Sequence, residues 1–248
     1  MFRRRLFRSS NPVLAGIQQV AVSDTPATYA GIVKKTSYLF LVLLVSTGFV
    51  AFNAEFFFNN SWLLFGAMIG GFVIIISSRT PERIRTGAPI YAALQGIVIG
   101  MIGLLYSNIV PGIVEAAIVL TLSIFLVMLF LYATGIVRVG GLLQRVVYSA
   151  LGGLVLFSFV MILGNLFGFG FASAFFGNLE FLLIFSLIGA AVASLMILID
   201  LDQASMLVRS GADESMEWFA ALGLMVTIIW LFLEILRILF IFASRNRR

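Results

Sequence analysis

The sequence predicts an all-α integral membrane protein with seven transmembrane helices. Three observations carry that expectation. Of 248 residues, 61% are hydrophobic and 11% charged, with a mean hydropathy of +1.11, far from the composition of soluble domains. Apolar runs of about 17–25 residues, the length that carries a helix across roughly 30 Å of hydrocarbon, recur with short breaks. The Lys and Arg residues gather in alternate breaks, the pattern that orients membrane helices.

In chain order, residues 1–33 read as a flexible basic arm with Arg3, Arg4, Arg5 and Arg8 followed by a polar stretch, and residues 34–248 as the membrane domain. The first run, near Thr36–Ala54, follows that polar stretch and reads as a permanent helix rather than a removable signal. The breaks that follow have turn chemistry. Asn59-Asn60 precedes a run near Ser61–Ser77, and Ser78-Arg79-Thr80-Pro81 precedes one near Ala88–Tyr106. Asn108 with Pro111-Gly112 opens Gly112–Thr134, and Gly140-Gly141 leads to Val146–Phe167. Gly177-Asn178 opens Leu179–Ile199, and the polar stretch Ser210 to Ser215 leads to Trp218–Phe242. The connections are short, no sizeable soluble domain is appended, and no strong internal repeat is visible.

The cations set the orientation. Lys34 and Lys35 precede the first run, Arg79, Arg83 and Arg85 follow the second, Arg138 and Arg145 the fourth, and Arg209 the sixth. The positive-inside rule therefore predicts a cytoplasmic N terminus. Seven crossings then put Arg245, Arg247 and Arg248 on the opposite side. Two readings are open: an early-set topology tolerates the tail there, or the last segment, with Glu234 and Arg237 inside it, is re-entrant or incompletely inserted.

Absent residue types exclude whole chemistries. Without Cys there is no disulfide, thiolate catalysis or iron–sulfur cluster, and without His no tetrahedral zinc or Ser–His relay. No nucleophile–base pair or metal cluster can be assembled by spacing, so an enzyme is not expected, nor a bound cofactor. The net charge of +5 is a topology signal, and the partner it implies is the lipid bilayer rather than nucleic acid.

What remains are carboxylates in apolar surroundings. Asp200 closes the sixth run and Asp202 follows two residues later, about 200° away around a helix, so at most one faces the bundle interior. Either both are solvated end residues, or Asp200 is partly desolvated and serves as a proton or cation site. Glu234 lies deep in the last run with Arg237 three residues on, the same-face spacing of an ion pair that is either structural or mechanistic. Thr227, Leu231 and Glu234 share one stripe. Glu217-Trp218 reads as a first-turn acid with an interfacial anchor. Glu115 and Glu180, near the starts of the fourth and sixth runs, are either solvated acids or an outer cation vestibule. Small-residue clusters at Gly66 to Gly71, Gly96 to Gly100, Gly152-Gly153 and Gly189 to Ala193 predict close helix approach.

Several stretches carry a family resemblance: Ser10-Asn11-Pro12-Val13-Leu14, Thr28-Tyr29-Ala30-Gly31, Lys35-Thr36, Pro89-Ile90-Tyr91-Ala92, Met216 to Ala221, and Trp230 through Arg237. Together they resemble the bacterial, YccA-like branch of the Bax inhibitor family over nearly the whole chain. The resemblance implies six helices surrounding the C-terminal seventh in a bacterial inner membrane, and a proton-sensitive calcium leak. It also implies a gate in which two aspartates share a proton. Ile199-Asp200-Leu201 matches the first gate motif, while the second position falls on Thr227. An Arg from the loop holding Arg79, Arg83 and Arg85 is implied as the latch.

A Thr cannot share a titrating proton as a second carboxylate would, so Asp202 or Glu234 substitutes only if the geometry differs. Calcium takes several oxygen ligands, and Asp200 with Glu234 are the candidates to meet it in transit. The alternative is a non-conducting regulator that binds a membrane-bound protease or another membrane protein, with the N-terminal arm as the presenting segment.

Overall fold

The computed structural model describes residues 25–168, 170 and 177–245. Eight helices account for nearly all of them: α1 (Tyr29–Phe52), α2 (Ala54–Asn59), α3 (Trp62–Ser77), α4 (Pro81–Ile109), α5 (Ile113–Ala133), α6 (Gly141–Leu166), α7 (Leu179–Arg209) and α8 (Met216–Arg245). The described residues contain no strand, only an isolated bridge between Pro26 and Asp213. Six helices, α1 and α4 to α8, are long and apolar enough to cross a membrane. The seventh expected crossing is the short one. α3 has 16 residues, which at 1.5 Å per residue is about 24 Å, below the roughly 30 Å of hydrocarbon.

The breaks fall where the turn residues placed them, but several helices extend beyond their apolar runs. α1 begins at Tyr29 rather than Thr36, because the Thr28 hydroxyl caps it by accepting from the Gly31 N–H. α4 begins at Pro81, a residue suited to a first helical turn. α7 continues to Arg209, so Asp200 lies inside the helix rather than closing it. Hydropathy marks only the greasy middle of a helix, whereas backbone hydrogen bonding carries the helix on through its polar, interfacial turns.

α8 occupies the centre, with α1, α4, α5 and α7 packed directly on it. α3 is held chiefly by α4, and α6 chiefly by α7. The buried core follows from this: Met225, Leu231 and Leu236 of α8 meet Leu39 of α1, Ile84 of α4 and Ile197 of α7. The outer faces are apolar as well, with Leu41, Val45, Phe65, Phe130 and Phe159 exposed, as a surface wetted by lipid requires.

The last segment is long and apolar enough for a full crossing. α8 is one unbroken helix of 30 residues, about 45 Å long, and its Arg245 reaches Glu180 at the opposite end of the bundle from Lys35, at 3.4 Å. Arg247 and Arg248, like Arg3, Arg4, Arg5 and Arg8, lie outside the described residues.

Small residues set the closest helix contact. α1 and α4 run parallel, with Ser46 donating to the Ala93 carbonyl at 2.7 Å and Thr47 to the Gly96 carbonyl at 3.0 Å. A Cβ on Gly96 would lie 2.5 Å from the Leu43 carbonyl oxygen, and one on Gly100 would lie 2.8 Å from Val50 Cβ. The Gly152-Gly153 pair departs from expectation, since nothing lies within 4 Å of either added Cβ. Their helix, α6, is bound on one side only, and these glycines face away from that side.

Gly96→Val is therefore expected to destabilise the bundle by about 1–3 kcal/mol through overpacking, read as a lowered thermal midpoint in detergent. Gly152→Val should leave the midpoint close to that of the parent.

Candidate functional site

The last two helices run antiparallel and bring together residues that the sequence separates. Asp200 on α7 is 8% exposed and Thr227 on α8 is 5% exposed. The Thr227 hydroxyl donates to Asp200 Oδ2 at 2.6 Å. Asp202, two positions on, turns toward α5 as helical geometry requires. Its Oδ1 accepts from the Tyr132 hydroxyl at 3.3 Å, while its buried Oδ2 has no hydrogen-bond partner among the described residues. Neither aspartate is thus a solvated end residue: Asp200 is buried and Asp202 half-buried.

Glu234 forms a second polar layer. Its carboxylate accepts from Arg237 at 2.8 Å and from the Trp230 indole at 3.1 Å. The same guanidinium reaches Ser186 Oγ on α7 at 3.5 Å. Gly189 makes room for it, because a Cβ there would lie 2.9 Å from the Glu234 carboxyl carbon. The predicted ion pair exists, with the carboxylate more enclosed than the guanidinium, at 7% and 30% exposure.

Seven residues separate Thr227 from Glu234, about 10 Å along α8. Glu234 therefore cannot replace the missing partner of Asp200, and the two do not form one calcium site. Among the described residues no three carboxylates gather as a metal cluster. Between the two polar layers lie Leu231, Ala193 and Ile197, all completely buried. The stripe of Thr227, Leu231 and Glu234 is thus polar, apolar, polar along the α7–α8 interface. Cavities flank this interface: one of about 410 Å³ beside Glu234 and Ser158, and one of about 510 Å³ beside Arg237, Tyr91 and Gln95.

A further cluster was only half legible. Glu217 was expected to serve its own helix, yet its carboxylate, 2% exposed, reaches across to the start of α1. It accepts from the Thr28 N–H at 2.7 Å, the Thr28 hydroxyl at 3.2 Å and the Lys35 ammonium at 2.6 Å. Lys35 also contacts Glu214 at 3.1 Å and lies over the Trp218 ring. Gly31 faces this carboxylate so closely that a Cβ would overlap it. Residues 25–27 add backbone bonds from Ala27 N–H to the Ala212 carbonyl and from Glu214 N–H to the Thr25 carbonyl. The last residues of the expected free arm are thereby fastened to the α7–α8 loop. The sequence marked Lys35 only as a cation before the first run and Glu217 only as a first-turn acid, and the two are 182 residues apart.

The remaining candidates are dispersed. Arg79, Arg83 and Arg85 are exposed; Arg85 faces the cavity of Glu214 and Glu217 rather than Asp200. Glu115 is exposed in the first turn of α5, and Glu180 is exposed and paired with Arg245.

A family model described as Bax inhibitor 1 like matches residues 7–244. The chain belongs to this family. No curated protein matches the chain. In this Bax inhibitor family member, the residue bonded to Asp200 is a hydroxyl, and the nearest further carboxylate on α8 lies two turns away.

Breaking the Lys35–Glu217 pair takes the countercharge from a carboxylate that keeps its two bonds from Thr28 and borders an open cavity, a loss of about 1–3 kcal/mol. Lys35→Met should therefore lower the unfolding midpoint. Lys34→Met, at an exposed position, should change stability by no more than about 0.5 kcal/mol. Denaturant or thermal unfolding of the purified protein measures both.

Proposed function

We propose that the protein is a proton-sensitive leak for calcium or a similar cation, set in a bacterial inner membrane with its N terminus cytoplasmic. Residues 34–248 form the membrane domain, and α3 completes seven crossings. The observation that carries this reading is a buried carboxylate, Asp200, whose hydrogen-bond partner is a neutral hydroxyl. A carboxylate inside a membrane bundle is costly and marks a functional position by default. Asp200 is placed so that gain or loss of one proton changes the charge at the heart of the α7–α8 interface.

The chemistry follows from the donors. Thr227 donates to the ionised carboxylate. Once Asp200 is protonated, its own hydroxyl can donate instead, and Thr227 can accept. The contact survives either way, so the proton changes charge rather than connection. An ionised Asp200 offers a cation an oxygen ligand and favours water beside it; a neutral one does neither. The apolar step at Leu231, Ala193 and Ile197 closes the path toward Glu234, and Glu234 with Arg237 forms the second station. Support for a returning α3 is its antiparallel course beside α4, where Gly71 lies near Tyr91 and Gln95 while Gly87, earlier in α4, lies near Ser78 at the end of α3. The basic residues at the starts of α1 and α4 support the cytoplasmic assignment of that end.

Calcium-dye flux into sealed liposomes, scanned from mildly acid to mildly alkaline pH, tests this. The parent should show pH-dependent flux above empty liposomes. Asp200→Asn should lose the pH dependence, and Leu231→Ser should raise the leak at every pH. Folded parent protein that passes no calcium at any pH would leave a non-conducting regulator as the better reading.

A further inference from the structure

The same end of the bundle that fastens α1 to α8 also holds a cavity of about 550 Å³, open to the side. Lys34, Lys35 and Tyr38 of α1, Arg85 and Pro89 of α4, and Trp218 of α8 form its walls, with Glu214 and Glu217 behind Lys35. The charges do not cancel. Both carboxylates are engaged by Lys35, at 3.1 and 2.6 Å, whereas Lys34 and Arg85 have no ionic partner among the described residues. Three cations against two carboxylates leave one positive charge. Trp218 and Tyr38 meet edge to face beside it, with ring centres 6.2 Å apart, an arrangement suited to the headgroup level of a bilayer. One to two turns further along α1, Leu41 and Val45 are exposed and apolar, and Ile90 of α4 is exposed too. Polar walls with two unpaired cations and a net charge of one positive thus lie directly above a surface made for acyl chains.

We propose that this cavity binds the phosphodiester of an anionic membrane lipid, with Lys34 and Arg85 holding the phosphate and the chains lying along Leu41, Val45 and Ile90. The single negative charge of a phosphatidylglycerol headgroup matches the single surplus positive charge, and a zwitterionic headgroup does not. Lys35 is committed to Glu217, so specificity falls to the two unpaired cations. This site is independent of whether the bundle conducts.

Native mass spectrometry of the full chain released from detergent tests the assignment, with phosphatidylglycerol or phosphatidylcholine titrated in. The parent should retain phosphatidylglycerol in preference to phosphatidylcholine. The double variant Lys34→Gln/Arg85→Gln should weaken that retention by about thirtyfold, the effect of two interfacial cations. Arg138→Gln/Arg145→Gln removes two exposed cations outside the cavity, one in the loop between α5 and α6 and one near the start of α6, and should leave retention near the parent value. Equal losses in the two double variants would show diffuse attraction to a basic surface and overturn the site, as would no loss in either. Competition by inorganic phosphate or glycerol phosphate at concentrations comparable to the lipid would show a free-anion site and overturn the lipid assignment. Unfolding midpoints of all variants, expected within the parent's range because the substituted residues are exposed and unpaired, separate lost binding from lost fold.

Discussion

The structure depends on one constraint: an ionisable group that leaves water must take its partners with it. α8 carries Glu217, Thr227, Glu234 and Arg237, and each polar side chain is matched to a particular neighbour. A helix with such a stripe cannot face lipid, because every unmatched polar atom there costs several kcal/mol (about 2–7 for an amide or hydroxyl). The central position of α8 follows, and with it the arrangement of α1, α4, α5 and α7 around it. The glycines are the counterpart of the acids. Gly31 and Gly189 provide the space into which the Glu217 and Glu234 carboxylates fit.

These contacts are stacked along the molecule. The Lys35–Glu217 pair fixes the start of α8 against the start of α1, so the rotation of α8 is set at one end. The Glu234–Arg237 layer, with Ser186 and Gly189, sets it again further along. Between these two fixed points lies Asp200–Thr227, a single neutral-partner contact with no countercharge. Charge on Asp200 is therefore less compensated than charge on Glu217 or Glu234, which is why the proposed proton sensitivity is placed there rather than at Glu234.

Much of this was legible in the sequence. The apolar runs located the long helices, the turn residues located the breaks, and the three-residue spacing of Glu234 and Arg237 foretold their pairing, since both belong to one helix. The stripe of Thr227, Leu231 and Glu234 was legible for the same reason. Helix ends were not, because hydropathy falls away before the backbone hydrogen bonds do: Thr28 extends α1, and α7 passes Asp200 by nine residues to end at Arg209. Contacts between distant segments were also hidden. Nothing local in Glu217 says that its carboxylate caps α1, nor does Gly152-Gly153 announce that it faces open space while Gly96 does not. Such outcomes depend on which helix lies alongside, a property of the whole bundle.

Infrared difference spectroscopy of the reconstituted protein, scanned across pH, addresses most directly the claim that Asp200 bonded to Thr227 is the titrating joint. A carboxylic acid carbonyl band that grows on acidification, vanishes in Asp200→Asn and moves in frequency in Thr227→Val is the result this account predicts. A band that survives unchanged in Asp200→Asn would place the titrating proton elsewhere and contradict it.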